Sequence, residues 1–383
     1  MTSTLSCSHV GCSFIPPHVL DRVARSAGGE TSARARRSVA QSRALREERA
    51  TRSRSGARDS LSAPPSPVGI STSASAGAAA KKTTAKKTTA KKAAAVPGLG
   101  GKRSIFDCRN QWNQQVPPPV RAEGGASSTD SDVNFAYDFA GVVRTYFADV
   151  LGRNSIDNHG MKLILNVHYG VDFMNAFWDG SQMTFGDGDG AVFSSFAASL
   201  DVIAHELTHG VTQFTCALEY HDQPGALNEH LSDVFGSVIQ QYSLGEDAGT
   251  ADWLIGDEIM GPDLAGEALR SMRSPGTAYD NSLLGKDPQP AHMRDYFHGA
   301  ADNGGVHINS GIPNRAFYLV ASTIGTDKAA LVWYQGQQLL WPTAQFADAR
   351  TVLVDAARTL QGAGLVPKGS AQAVRAAFRA VGV

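Results

Sequence analysis

The chain has 383 residues, enough for two or three domains, and 42% of them are hydrophobic, an ordinary share for a folded soluble protein. Its formal net charge of −1 hides an asymmetry: residues 1–101 carry 17 Lys and Arg against 5 Asp and Glu, while the remainder carries 18 against 31. No run of ~18 apolar residues occurs, which excludes a membrane-spanning helix, and four cysteines (Cys7, Cys12, Cys108, Cys216) are too few for a disulfide framework, leaving Cys108 and Cys216 as either one pair or two free thiols.

Residues 1–20 lack the basic start, apolar core and small-residue cleavage site of a secretory signal, which points to the cytoplasm or to another export route. Ile15-Pro16-Pro17 fixes an extended stretch. Val19, Leu20 and Val23 then offer one apolar face of a short helix. Residues 26–101 are rich in Ser, Arg, Ala and Pro, with a five-residue repeat, Lys81-Lys-Thr-Thr-Ala, running to Lys92. Such composition buries too little apolar surface to offset chain entropy, so a disordered basic linker is expected there. Its charge suits nucleic acid or an anionic surface, although a solvated spacer has the same composition.

The globular part is expected from Lys102. Ser104–Asp107 reads as a strand, Ala136–Val150 as an apolar helix, and Leu163–Tyr169 as a second strand. Asn175-Ala-Phe-Trp178 and Met183–Phe185 read as strand and hairpin, and Gly186-Asp-Gly-Asp-Gly190 as a turn without EF-hand spacing. Helical patterns fill 196–214, 227–243, 307–323, 328–340, 345–360 and 370–381.

Within the first of these stands His205-Glu206-Leu-Thr-His209. Residues i and i+4 share a helix face, so both imidazoles can reach one metal ion and Glu206 can reach a water on it. Twenty residues on, Glu229 and Asp233 are again i and i+4 in a helical stretch. His205, His209 and Glu229 make the three protein ligands that a catalytic zinc uses while leaving one position to water. Asp233 is placed to accept the other N–H of His205.

Four blocks in order, Asn175–Trp178, His205–His209, Gly225–Glu229 with Ser232-Asp233, and Asp302-Asn-Gly-Gly-Val-His307-Ile-Asn-Ser-Gly311, resemble the thermolysin family of zinc metallopeptidases over roughly residues 100–383. A His2Glu zinc site is that family's known ligand set. The Ile15-Pro16-Pro17 stretch resembles the short prosegment of the protealysin-like branch. The resemblance implies an α+β, two-lobed thermolysin-like fold. An N-terminal α+β lobe (102–225) and a C-terminal α-helical lobe (226–383) would hold the zinc helix between them. It implies a zinc-dependent endopeptidase acting on proteins or peptides as a secreted monomer, made as a precursor whose prosegment (residues 1–25) inhibits it until the chain is cut within 93–104. Cys12 is a candidate zinc ligand in that precursor.

By the same resemblance Glu206 is the general base, and His307 and Tyr220 donate to the oxyanion. Asp302 orients His307. Asn175 and the Ala176 carbonyl bind substrate backbone, and Arg270 binds a substrate carbonyl. Phe193, Val202, Ile255 and Leu269 line the pocket for a bulky apolar residue just after the cleaved bond, the P1′ residue. Asp201, Asp252 and Asp257 match calcium positions, but Gln240 and Leu254 replace acidic ones, so one calcium is expected rather than two. Two other classes fit parts of the sequence: a catalytically silent scaffold that binds nucleic acid through its basic segment, and a zinc hydrolase of non-peptide amides.

Overall fold

A computed structural model of the chain describes residues 12–55 and 100–383. Its strands are β1 (Cys12–Ser13), β2 (Arg103–Asp107), β3 (Arg121–Ala122), β4 (Leu163–Val167), β5 (Ala176–Trp178), β6 (Met183–Phe185), β7 (Leu254–Ile255), β8 (Arg270–Ser271), β9 (Asp280–Asn281) and β10 (Gly285–Lys286). The helices are α1 (Pro17–Ser26), α2 (Gly29–Ser55), α3 (Ser131–Asp149), α4 (Leu200–Gln213), α5 (Asp222–Leu244), α6 (Ala301–Asn309), α7 (Gly311–Ile324), α8 (Thr326–Gln337), α9 (Phe346–Gly362) and α10 (Ser370–Ala380). None of the described helices is long and apolar enough to cross a membrane.

A six-stranded mixed sheet, in the order β1-β5-β6-β4-β2-β3, forms one lobe with α3. β2, β4 and β6 run parallel, and β1, β5 and β3 are antiparallel to their neighbours. Asp130 starts α3 by accepting from the Asp132 and Val133 N–H groups. The other lobe is helical, with α10 packed on α7 and α9, and α8 on α9. Between the lobes lie α4 and α5, both buried over most of their length. Gly236 lets them approach closely: a Cβ there would sit 3.1 Å from the Asp201 carbonyl oxygen.

Three differences from the expected elements appear. A boundary at 225/226 falls inside α5, which starts at Asp222 because Pro224, tolerated in a first turn, does not interrupt it. The helix expected over 307–323 is two helices, α6 and α7, meeting at Ser310, which itself keeps helical angles.

The largest correction concerns the linker expected over 26–101. Residues 29–55 of it are the helix α2. Its Ala, Arg, Gln, Leu and Glu are strong helix formers. Its docked stripe, Ala35, Ser38, Ser42 and Leu45, has helical spacing but carries a single large apolar side chain, so hydropathy does not reveal it. Ser38 Oγ accepts from the Met174 N–H (3.0 Å), Ser42 Oγ from Asn175 Nδ2 (3.2 Å), and Gln41 Nε2 donates to the Tyr169 hydroxyl (3.0 Å). Arg34 lies 2.9 Å from Asp172. The Lys-Thr-Thr-Ala repeat and the expected cleavage region up to residue 99 lie outside the described residues, as do residues 1–11. Cys108 and Cys216 are separate buried thiols, both pushed up to about 12 by burial.

His168 ties the start of α3 to the Gly186–Gly190 loop. Its Nδ1 is 2.8 Å from Asp187 and its Nε2 2.8 Å from Asp130. The Asp187 hydrogen bond, with Asp130 and against partial burial, raises its pKa from 6.5 to about 9. A group raised in the folded state stabilises fully below its unfolded value, and the contribution is lost as pH rises through the folded one. Melting temperature is therefore expected to fall between pH 7 and 10 by more in the native chain than in His168→Gln. Equal pH slopes would refute the tie.

Candidate active site

The two histidines of α4 face one point. His205 Nδ1 is 2.9 Å from Asp233 Oδ1, and His209 Nδ1 is 2.8 Å from Asn228 Oδ1. A carboxylate and an amide oxygen only accept, so each ring carries its proton on Nδ1 and presents a bare Nε2. Those two Nε2 atoms lie 3.0 Å apart, and each is 3.4 Å from a Glu229 oxygen. Two lone pairs and a carboxylate converging in a fully buried spot repel one another unless a cation sits among them. Glu229 Oε2 has no hydrogen-bond partner, and neither do both oxygens of Glu206, one residue after His205. The donor set of two imidazoles and one carboxylate therefore fits a single divalent cation, with Glu206 left free beside it. Cys12 joins this group, its sulfur lying within 4.8 Å of the ligand atoms of His209 and Glu229.

The charges are arranged in layers. Burial pushes Glu206 up to about 8, opposed by His205 and by the Trp178 backbone N–H, and reinforced by Glu229. Asp233 is held down at about 2: burial works against this, and Arg270 and His205 overcome it. Arg270 grips Asp233 through Nε (2.9 Å to Oδ2) and Nη2 (2.9 Å to Oδ1).

His307 closes the site from the other lobe. Asp302, Asn303, Gly304 and Gly305 all have φ between 50° and 81°. A Cβ at Gly304 would meet Asp222 Oδ1 at 2.1 Å, so this left-handed path requires glycine there. The path wraps the Asp302 carboxylate around His307: Oδ2 accepts its backbone N–H (2.8 Å) and Oδ1 its Nδ1–H (2.6 Å). The ring Nε2 then donates to the Ser13 carbonyl oxygen (2.9 Å). With both nitrogens donating, His307 is an imidazolium; burial opposes the charge, and Asp302 and Glu229 favour it. The Tyr220 hydroxyl lies 3.2 Å from His307 Nε2 and donates to Glu229.

The cleft is filled by the chain's own N-terminal segment. β1 pairs with β5 antiparallel, Cys12 opposite Trp178 and Ser13 opposite Phe177. The Phe14 N–H donates to the Ala176 carbonyl (3.0 Å), and the Ile15 N–H to Asn175 Oδ1 (2.8 Å). Arg270 Nη1 donates to the Phe14 carbonyl (3.4 Å). The Phe14 ring is fully buried, edge-on to His205 with centroids 5.1 Å apart, in the same core cluster as Phe193, Val202, Ile255 and Leu269. A methyl added at Gly256 would lie 3.1 Å from that ring.

The structure thus brings His205, Glu206, His209, Tyr220, Glu229, Asp233, Arg270, Asp302 and His307 to one buried point, with Asn175 and Ala176 on the adjoining strand. Sequence reasoning passed over Asn228 and Phe14. Asn228 directly precedes a ligand candidate, which is a readable signal; Phe14, an aromatic residue before Ile15-Pro16, carries none. Asp201, Asp252 and Asp257 lie apart from the metal candidate. Asp201 is buried and accepts from Ser199 Oγ and from the Val202 (2.7 Å) and Gly256 (2.6 Å) N–H groups. Burial, Asp201 and Asp252 push Asp257 up to about 6, and its Oδ1 has no partner.

Comparison with known proteins agrees with this geometry. A model of the thermolysin metallopeptidase catalytic domain matches residues 77–213, and one of the alpha-helical domain of the same peptidases matches residues 216–383. An extracellular metalloprotease of Pectobacterium carotovorum subsp. carotovorum is 53% identical over 243 residues, covering 62% of this chain and 70% of its own. A thermolysin of Alicyclobacillus acidocaldarius subsp. acidocaldarius is 40% identical over 292 residues, 73% of this chain, which spans half of that relative's length. The solved structure of the precursor of protealysin, a metalloproteinase from Serratia proteamaculans, superposes with a TM-score of 0.77 at 39% identity, covering 97% of this chain and 99% of that one. This chain belongs to the thermolysin family of metallopeptidases.

Proposed function

We propose that the chain is a zinc endopeptidase held latent by its own residues 12–55 and selective for a bulky apolar P1′ residue. The observation that carries the metal reading is the convergence of two bare imidazole nitrogens, 3.0 Å apart, on a buried carboxylate. His205, His209 and Glu229 would hold the ion, with Asp233 and Asn228 fixing the imidazole tautomers. Zinc there supplies Lewis acidity and a water whose pKa is brought towards neutrality. Glu206, unpaired and buried, takes the proton of the attacking water and passes it to the leaving amine. His307, charged and aimed by Asp302, donates to the oxygen on which negative charge develops, and Tyr220 assists from its place beside Nε2. Asn175 and the Ala176 carbonyl align the substrate backbone, and Arg270 binds the carbonyl of the P1′ residue.

The N-terminal segment supports the substrate-binding roles because it already makes those contacts. Its Ser13 carbonyl lies at His307, its Phe14 backbone at Ala176 and Arg270, and its Phe14 ring against His205 and the Arg270 guanidinium. Its sequence direction leaves the Ser13–Phe14 bond facing the catalytic groups. Cys12 beside His209 and Glu229 would take the ligand position that the attacking water needs, which keeps this bond uncut. At the acidic cluster, the unpartnered Asp257 oxygen supports one calcium ion. Calcium titration should then raise the melting temperature with a single binding step, and a flat response would remove that site. The relative from Pectobacterium is described as extracellular, which supports secretion of this chain.

Casein hydrolysis by the purified protein after removal of its N-terminal segment tests the central reading. A zinc chelator is expected to abolish it, and added zinc to restore it. Hydrolysis that survives zinc-free dialysis would exclude the proposed mechanism.

A further inference from the structure

Behind the metal candidate runs a buried polar chain that the chemistry above leaves unused. His230 follows Glu229 in α5, so its side chain leaves the helix about 100° round from the carboxylate, towards the helical lobe. It is buried against α7 and α8. Trp333 Nε1 donates to His230 Nε2 at 2.7 Å. An indole N–H can only donate, so His230 Nε2 accepts and its single ring proton stands on Nδ1. That proton meets Asn314 Oδ1 at 2.7 Å. With its oxygen so engaged, Asn314 turns its NH2 to Asp233 Oδ2 at 2.8 Å. Asp233 Oδ1 in turn accepts from His205 Nδ1. Every bond in the series has a direction, and the direction is set at the Trp333 end.

Asp233 needs such a hold because two groups compete for it. Arg270 reaches both of its oxygens, and His205 reaches only Oδ1. Asn314 binds Oδ2 with an uncharged donor, fixing the plane in which Oδ1 serves the imidazole. If the amide is removed, the carboxylate can swing towards the guanidinium fork, which offers the stronger, charge-assisted bonds.

We propose that His230 and Asn314 are positioning residues: Trp333 sets the His230 tautomer, His230 sets the Asn314 amide, and Asn314 holds Asp233 so that His205 keeps its metal-binding orientation. This rests on the zinc-peptidase reading and deepens it. Groups that hold a metal-binding histidine typically change metal affinity or activity by ~10–100-fold when removed.

The test uses the full chain with Asn314→Leu and, separately, Trp333→Phe, which keeps an aromatic ring of similar shape. Zinc affinity is measured by competition with a chromophoric chelator, kcat and KM after processing, and the histidine tautomers by nitrogen-15 NMR. Asn314→Leu is expected to weaken zinc binding ~10–100-fold and to lower kcat with KM nearly unchanged. Trp333→Phe should move both in the same direction by less, with His230 no longer held in the Nδ1–H tautomer. If Asn314→Leu does not fold, the Trp333→Phe result alone decides. Native zinc affinity, kcat and His230 tautomer, with only a lower melting temperature, would make the chain of bonds a packing feature and overturn the proposal. Absence of zinc binding in the unsubstituted chain would instead overturn the zinc reading beneath it.

Discussion

Glu206→Gln is expected to lower peptide hydrolysis by ~10³-fold or more while zinc stays bound. The substitution removes the general base we propose, and positioned proton transfer alone contributes ~10²–10⁴-fold. Both Glu206 oxygens lack partners, so the residue holds no neighbour in place, and the amide is nearly the same size. The proposed ligands His205, His209 and Glu229 keep their own supports from Asp233, Asn228 and Tyr220. The effect should therefore be confined to kcat, with zinc content by elemental analysis unchanged. Substantial activity in Glu206→Gln would mean that another group moves the proton. Loss of zinc along with activity would assign Glu206 to holding the metal.

The second large effect is expected at Phe14. Its ring is fully buried beside His205, and truncating a buried Phe to Ala costs ~3–5 kcal/mol. It should fall on the docking of the N-terminal segment. A synthetic peptide of residues 12–55 added to the processed enzyme is expected to inhibit it, and the Phe14→Ala peptide to do so ~10²–10³-fold more weakly. A peptide library cut by the same enzyme should show Phe, Leu or Ile in the P1′ position, if the Phe14 ring, buried against His205 and Arg270, takes the place we propose for that side chain. Equal inhibition by both peptides, or a charged P1′ preference, would show that Phe14 is not in the substrate pocket.

Much of this was legible in the sequence because the chemistry is written in local spacing. The i, i+4 histidines need only a helix to converge, and α4 forms over them. Glu229 and Asp233 need only a second helix whose apolar residues bury the same face, as α5 does. The lobes follow from strand patterns before the metal helix and helical patterns after it. Periodicity could not show α2, because its docked face is made of alanine and serine, whose burial depends on fit and hydrogen bonds rather than hydropathy. Nor could it show that Phe14 fills the cleft, since an aromatic before Pro-Pro reads the same in an exposed tail.

The convergence of His205, His209 and Glu229, the place of Glu206 beside them and the two-lobed architecture were thus determined by the sequence itself, through side chains that a single helix or one pair of helices brings together. Only the tertiary structure decided the rest. The Trp333–His230–Asn314–Asp233 series joins residues up to 103 positions apart, and the Ser13–His307 contact spans 294. Distances of that kind in the chain carry no periodic signal. They are selected by which surfaces exclude water together, and that is a property of the packed molecule.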